Sequence, residues 1–206
     1  MGFIRKLLLP NEVDFNQALS NQVEASKLMM DELYKACVND DLNSLKSITL
    51  KAKDARELKT KNMLQLLDVF ITPYDKESIY RMITQLDWIA LSIKHFQLEV
   101  EVYEAFHLSK YEPILKLLVD MLKALQDGMS NLTSKKLNLV ATSTEQIHDQ
   151  YDQVVGLCAN ANAELMKQDD CKHIIRYKDM LNQLKEIAKR IHVSANTLED
   201  MAIKVI

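Results

Sequence analysis

Three glycines and three prolines in 206 residues narrow what this chain can fold into. Glycine supplies positive φ at tight turns and proline punctuates strands and loops, so a turn-rich β fold needs more of both. The sequence has no Gly-rich run of the kind that cradles a phosphate. Leu, Lys, Ala, Asp, Glu, Gln and Met fill the space instead, which favours long helices joined by short connections. With 48% hydrophobic and 27% charged residues, the chain reads as globular and long enough for one domain, or for two halves sharing a core.

Apolar spacing of three and four residues predicts six helices. The first runs from Asn11 to Val38, with Phe15, Leu19, Val23, Met30, Leu33 and Cys37 on one face, and Asn39-Asp40-Asp41 breaks it. The second, from Leu42 to Phe70, buries Leu45, Ile48, Ala52, Ala55, Leu58, Leu66 and Val69. Pro73 forces Thr72 out of helix, and Asp75 can cap the third helix, Lys76 to Phe106, whose face is Ile79, Ile83, Leu86, Ala90, Ile93 and Val100. Ser109 and Glu112 form a capping box with Pro113 in the first turn of a fourth helix, which presents Ile114, Leu117, Leu118, Met121 and Leu125 and ends between Gly128 and Ser134. A fifth helix spans Lys135 to Met166. Beyond Gln168-Asp169-Asp170, a sixth reaches Ile206 with a seam through Ile174, Tyr177, Leu181, Leu184, Ala188, Ile191, Ala195, Leu198, Ala202 and Val205.

Residues 82–93 echo residues 180–191 at an offset of 98 residues, with Met, Gln, Leu, Ile, Ala and Ile shared. That offset is close to half the chain, so the expected architecture is all-α: an elongated bundle of two pseudo-repeated three-helix units, about 11–107 and 109–206, in a single domain.

The net charge of -3 and pI near 6.0 lack the basic excess that a nucleic-acid binder uses to displace counterions, and no Lys/Arg run exceeds Lys135-Lys136. Cys37, Cys158 and Cys171 are an odd count without paired spacing and read as reduced thiols. The opening Met1–Pro10 has neither the apolar length nor the cleavage site of a secretory leader, and Lys6 stands where a myristoylation signal wants Ser or Thr. No stretch approaches 18 uncharged apolar residues. A soluble, cytoplasmic protein is expected.

The richest chemical cluster is on the fifth helix. Glu145, Asp149 and Asp152 share one face, with His148 beside them. Two readings are open: a solvated acidic face, or a site that a divalent or ferric ion neutralises. Glu-x-x-His occurs at Glu104–His107 and Glu145–His148, and paired Glu-x-x-His motifs build the di-iron site of ferritin-like bundles. That gives an alternative function, a di-metal carboxylate bundle acting as an oxidoreductase or in iron handling. Trp88 and the Met pairs read as packing residues. No Ser-His-Asp or Cys-His arrangement or zinc spacing stands out, so no catalytic residue is assigned.

Phe70-Ile71-Thr72-Pro73, the Asp75–Ile79 stretch and Leu86-Asp87-Trp88-Ile89 resemble the Phe-x-Thr-Pro, Asp-Arg-Glu-Asp-Ile and Leu-Asp-Asp-Ile series of PhoU-like phosphate transport regulators, in the branch accompanying Pit-type permeases. Leu9-Pro10 with Phe15, and Ala195–Asp200 with Lys204, are similar to that branch as well. The resemblance implies paired three-helix repeats, metal clusters held by Glu/Asp-x-x-x-Asp motifs, and a cytoplasmic, non-catalytic regulator docking on a phosphate permease or signalling partner. Here Asp87 is kept, but Ala52 and Arg56 stand where the second helix would carry the motif. His148 and Asp152 keep the spacing in the fifth helix, while Lys185 and Lys189 replace carboxylates in the sixth.

Overall fold

The computed structural model describes residues 13–205; the Met1–Pro10 segment, a helix start at Asn11 and the terminal Ile206 lie outside the described residues. Six helices account for nearly all of it: α1 (Phe15–Val38), α2 (Lys46–Asp68), α3 (Lys76–Tyr103), α4 (Glu112–Thr133), α5 (Leu137–Leu165) and α6 (Cys171–Lys204). No strand occurs among the described residues. At 1.5 Å per residue the 34 residues of α6 extend about 51 Å.

Aspartates start four of the helical segments. Asp14 accepts from the Gln17 amide, Asp75 from Ser78, and Asp170 from Lys172 and His173, each satisfying donors that a helix start leaves unpaired. Asp41 does the same for a 3-10 turn, Leu42–Leu45, that leads into α2. The Ser78 hydroxyl and amide, joined by Lys204, hold the Asp75 carboxyl down at about 2.

The helices form two three-helix sets, α1–α2–α3 and α4–α5–α6, joined by packing of α1 on α4 and of α3 on α6. Side-chain pairs give the directions. Along α3 and α6, Arg81 meets Asp200, Glu99 meets Gln183 and Tyr103 meets Asp179, so the pair is antiparallel. Along α1 and α4, Asn16 meets Thr133, Glu24 meets Gln126 and Tyr34 meets Glu112, again antiparallel. The outer helices α2 and α5 each rest on the two inner helices of their own set.

Burial follows the apolar spacing. Phe15, Leu19, Val23, Met30, Leu33 and Cys37 are fully buried on α1, as are Leu184, Ala188, Ile191, Ala195 and Leu198 on α6. The two echoed stretches sit in the third helix of each set, and Met82, Leu86, Ile89, Ala90 and Ile93 are buried like Met180, Leu184, Ile187, Ala188 and Ile191. Gln85 and Gln183 are both half-buried.

A small polar network fixes the first set. Gln22 donates to the Ile83 carbonyl at 2.8 Å, and Asn62 donates to the Gln22 side-chain oxygen at 3.0 Å. Both residues are buried, so each bond satisfies a group that would otherwise be desolvated without a partner.

The capping box expected before α4 does not form. Ser109 is not a helix cap: α4 begins at Glu112 after a 3-10 turn, Leu108–Tyr111, and no side chain caps it. Left-handed backbone at Glu104 and His107 reverses the chain here, and burial of Leu108 and Tyr111 draws the turn inward. Pro113 still occupies the first turn. The fourth helix ends at Thr133, inside the expected Gly128–Ser134 stretch, and Gly128 itself lies within the helix. The glycine lies where α5 and α6 approach closely; a Cβ there would stand 2.7 Å from Leu198 Cδ2 and 3.2 Å from Ser143 Cβ. Gly156, in α5, has nothing within 4 Å of such a Cβ. Gly156→Ala should therefore raise stability by about 0.5–1 kcal/mol through helix propensity. Gly128→Val should lower it by roughly 1–3 kcal/mol through overpacking, both read from urea unfolding midpoints.

Candidate functional site

The sequence-derived candidates divide between two places, the groove between α2 and α3 and the contact of α5 with α6. On α5, Glu145, Asp149 and Asp152 face solvent, while His148 is half-buried on the flank toward α6. There the His148 Nε2 lies 3.4 Å from Glu199 Oε1, which also accepts from the Thr144 hydroxyl at 2.7 Å. His192 meets His148 edge-on and stacks on Tyr151, both with ring centroids 4.6 Å apart. The buried His148 Nδ1 has no hydrogen-bond partner among the described residues. Burial, and then the proximity of His148, lower the His192 pKa from 6.5, against the opposing pull of Asp152 and Glu199.

Sequence reading missed His192 and Glu199 as partners of His148. They lie seven apart on α6, a spacing that places two side chains on one face. Only the packing of α5 on α6 makes that face meet His148.

Asp87 lies in the α2–α3 groove, on α3, with the Lys59 ammonium of α2 at 4.0 Å. The groove around it holds about 590 Å³ and is lined by Lys46, Lys53, Arg56, Lys59 and Lys94 as well as Asp87. Asp87 and this groove belong to the first set, the His148 cluster to the second.

The metal clusters implied by the family resemblance do not fit these residues. In the groove a single carboxylate is surrounded by five cations, an environment that repels a metal ion. At the α5–α6 contact, Glu145, Asp149 and Asp152 are exposed, while His148 is half-buried against Glu199 and His192. Among the described residues no three His, Cys, Asp or Glu side chains are grouped so that they could hold a metal. The di-iron alternative fails on position as well. Glu104 and His107 lie beyond the end of α3, beside Tyr177, whose hydroxyl donates to the Phe106 carbonyl. His148 lies beside Glu199, 22 residues further along α6 and so about 33 Å away along the axis. Two histidine pairs so far apart cannot share one bimetal site.

The thiols are set for packing. Cys37 and Cys158 are buried and Cys171 is exposed; burial pushes the Cys37 thiol up to about 12 and Cys158 up to about 11.

No family model matches the sequence, and no curated protein is similar to it. Solved structures do match. A PhoU-like protein from Shewanella oneidensis MR-1 superposes with a TM-score of 0.76 at 15% identity, covering 90% of this chain and 98% of its own. A structure described as that of a PhoU-like phosphate regulatory protein from the same organism gives 0.76 and 15%, covering 91% and 98%. The fold is therefore the PhoU-like helical bundle.

The His192 environment predicts a pH dependence. The unfolded chain takes up a proton near 6.5, while the folded chain resists it until lower pH, so this group costs stability progressively as pH falls below about 7.5 and on through its lowered folded value. His192→Gln should remove that component: the stability difference between wild type and variant, from urea midpoints, falls as pH is lowered across this window and is constant above it.

Proposed function

We propose that this chain is a non-catalytic accessory of inorganic phosphate transport. It docks from the cytoplasmic side on a phosphate permease, of the Pit type by its sequence resemblance, or on a signalling partner. The observation that carries this reading is an apolar edge at the end of α2. Leu64, Leu67, Phe70 and Ile71 are 62%, 81%, 86% and 85% exposed, an unusual concentration of large apolar side chains on one edge.

The edge is held in place. Val69 between the helix and the edge is buried, the Thr72 hydroxyl donates to the Tyr74 carbonyl, and the Tyr74 hydroxyl donates to Asn16 Oδ1 at 2.7 Å. Phe70 and Ile71 are thus presented by an anchored turn. They also open the segment on which the family resemblance is densest.

The fold likeness to a protein described as a phosphate regulator supports the same reading. No helix of the described residues is long and apolar enough to cross a membrane, which fits peripheral attachment to an integral partner. The mechanism is conformational bias: a rigid surface that binds one state of the partner better than another shifts its equilibrium by that difference in affinity. On this reading the chain is one domain of two repeats, about residues 11–107 and 109–206.

Phe70→Ser combined with Ile71→Ser should abolish co-purification of a phosphate permease with the tagged chain from solubilised membranes, with the helical circular-dichroism signal unchanged because neither side chain is buried. Undiminished capture by the double variant refutes this docking edge.

A further inference from the structure

The α2–α3 and α5–α6 contacts hold equivalent places in the two three-helix sets, yet their charge differs. The α5–α6 contact mixes His148 and His192 with Asp152 and Glu199. The α2–α3 groove collects Lys46, Lys53, Arg56, Lys59 and Lys94 against Asp87 alone, in a chain whose net charge is -3.

Little on the protein neutralises that groove. Lys59 is spent on Asp87 at 4.0 Å, and Lys53 stands 3.9 Å from Glu57 with both side chains largely exposed, a pair worth little in water. Among the described residues Lys46, Arg56 and Lys94 have no carboxylate within salt-bridge distance. Lys53, Arg56 and Lys59 follow one another at steps of three along α2, where like charges on neighbouring turns repel and destabilise the helix. The floor supplies room without competing charge, through Ala52, Ala90 and Leu91.

We propose that the α2–α3 groove is a binding site for an anion carrying two or more phosphate groups. Lysines meet phosphate as mobile point charges, and the Arg56 guanidinium offers two parallel N–H donors to one phosphate. Lys46 and Arg56 are ten residues apart on α2, about 15 Å along its axis. A single orthophosphate cannot reach cations so spread, whereas a chain or ring of phosphates can. Pairing of Asp87 with Lys59 offsets the one carboxylate of the groove and leaves four cations for the ligand. The site goes beyond the docking role and stands whether or not a permease binds the exposed edge. Its phosphates can come from a free polyphosphorylated anion or from a lipid headgroup.

The test is calorimetric titration of the full chain at about 150 mM salt with inorganic tripolyphosphate, beside vesicles of phosphatidylcholine containing phosphatidylinositol 4,5-bisphosphate. Orthophosphate and citrate serve as comparators. Arg56→Gln with Lys94→Gln removes two groove cations that have no carboxylate partner. Lys185→Gln with Lys189→Gln removes the same charge from an exposed face of α6. Saturable binding that weakens at least tenfold in the groove variant and less than twofold in the α6 variant is expected. A tripolyphosphate response identifies a free anion, and a response confined to vesicles identifies a headgroup. Equal weakening in both variants, binding of citrate as tight as tripolyphosphate, or saturation in neither arm overturns the proposal.

Discussion

The antiparallel seam of α3 against α6 holds the molecule together, and its polar contacts show how register is enforced where apolar packing alone is permissive. Leu86, Ile89, Ile93, Leu184, Ile187 and Ile191 are fully buried, and burial of such side chains contributes about 1.5–3 kcal/mol each. That energy would change little if one helix slid by a turn. The pairs along the seam would not survive the slide. Asp200 accepts from Arg81, and Lys204 pairs with Asp75, at one end. The Arg190 guanidinium lies 4.6 Å over the Trp88 ring in the middle, and Gln183 donates to Glu99 at 2.6 Å toward the other end. Each pair sits at a different level, so only one register satisfies all of them.

Much of this was legible in the chain, because helical periodicity is a local property. The faces of α1, α3 and α6, the Asp75 cap and the echo between residues 82–93 and 180–191 rest on spacing within one element. What was not legible depends on neighbours. Nothing in the sequence around Asp200 names its partner, yet it ties the two sets because α3 brings Arg81 to it. Ser109 has the right partner at Glu112 for a cap, but left-handed backbone and buried Leu108 and Tyr111 decide the turn. Lysines that look scattered in sequence become one groove only when Lys94 of α3 is laid against α2.

Both proposed surfaces hang on α2, and its thin attachment explains why. Ile48, Ala55, Asn62 and Leu66 are its buried residues, a stripe close to one residue every two turns. Such a stripe is enough to seat a helix, with Asn62 pinned to Gln22 and to the Ala18 carbonyl, and it leaves most of the circumference to solvent. The inner helices have no such freedom, since α3 and α6 each serve their own set and the opposite one. Specialisation of charge and of apolar exposure therefore falls on the outer helix, where it does not disturb the seam.

The reversal between α3 and α4 carries a consequence for assembly. It is the one covalent link between the two three-helix sets, and it is fastened rather than slack: Ala105 and Leu108 are buried, the Ala105 amide donates to the Val100 carbonyl, and Tyr177 holds the Phe106 carbonyl. For two copies to exchange halves, this crossover would have to straighten, exposing those side chains and breaking those bonds in both molecules. Domain swapping is favoured by hinges that open cheaply, and this one is costly to open.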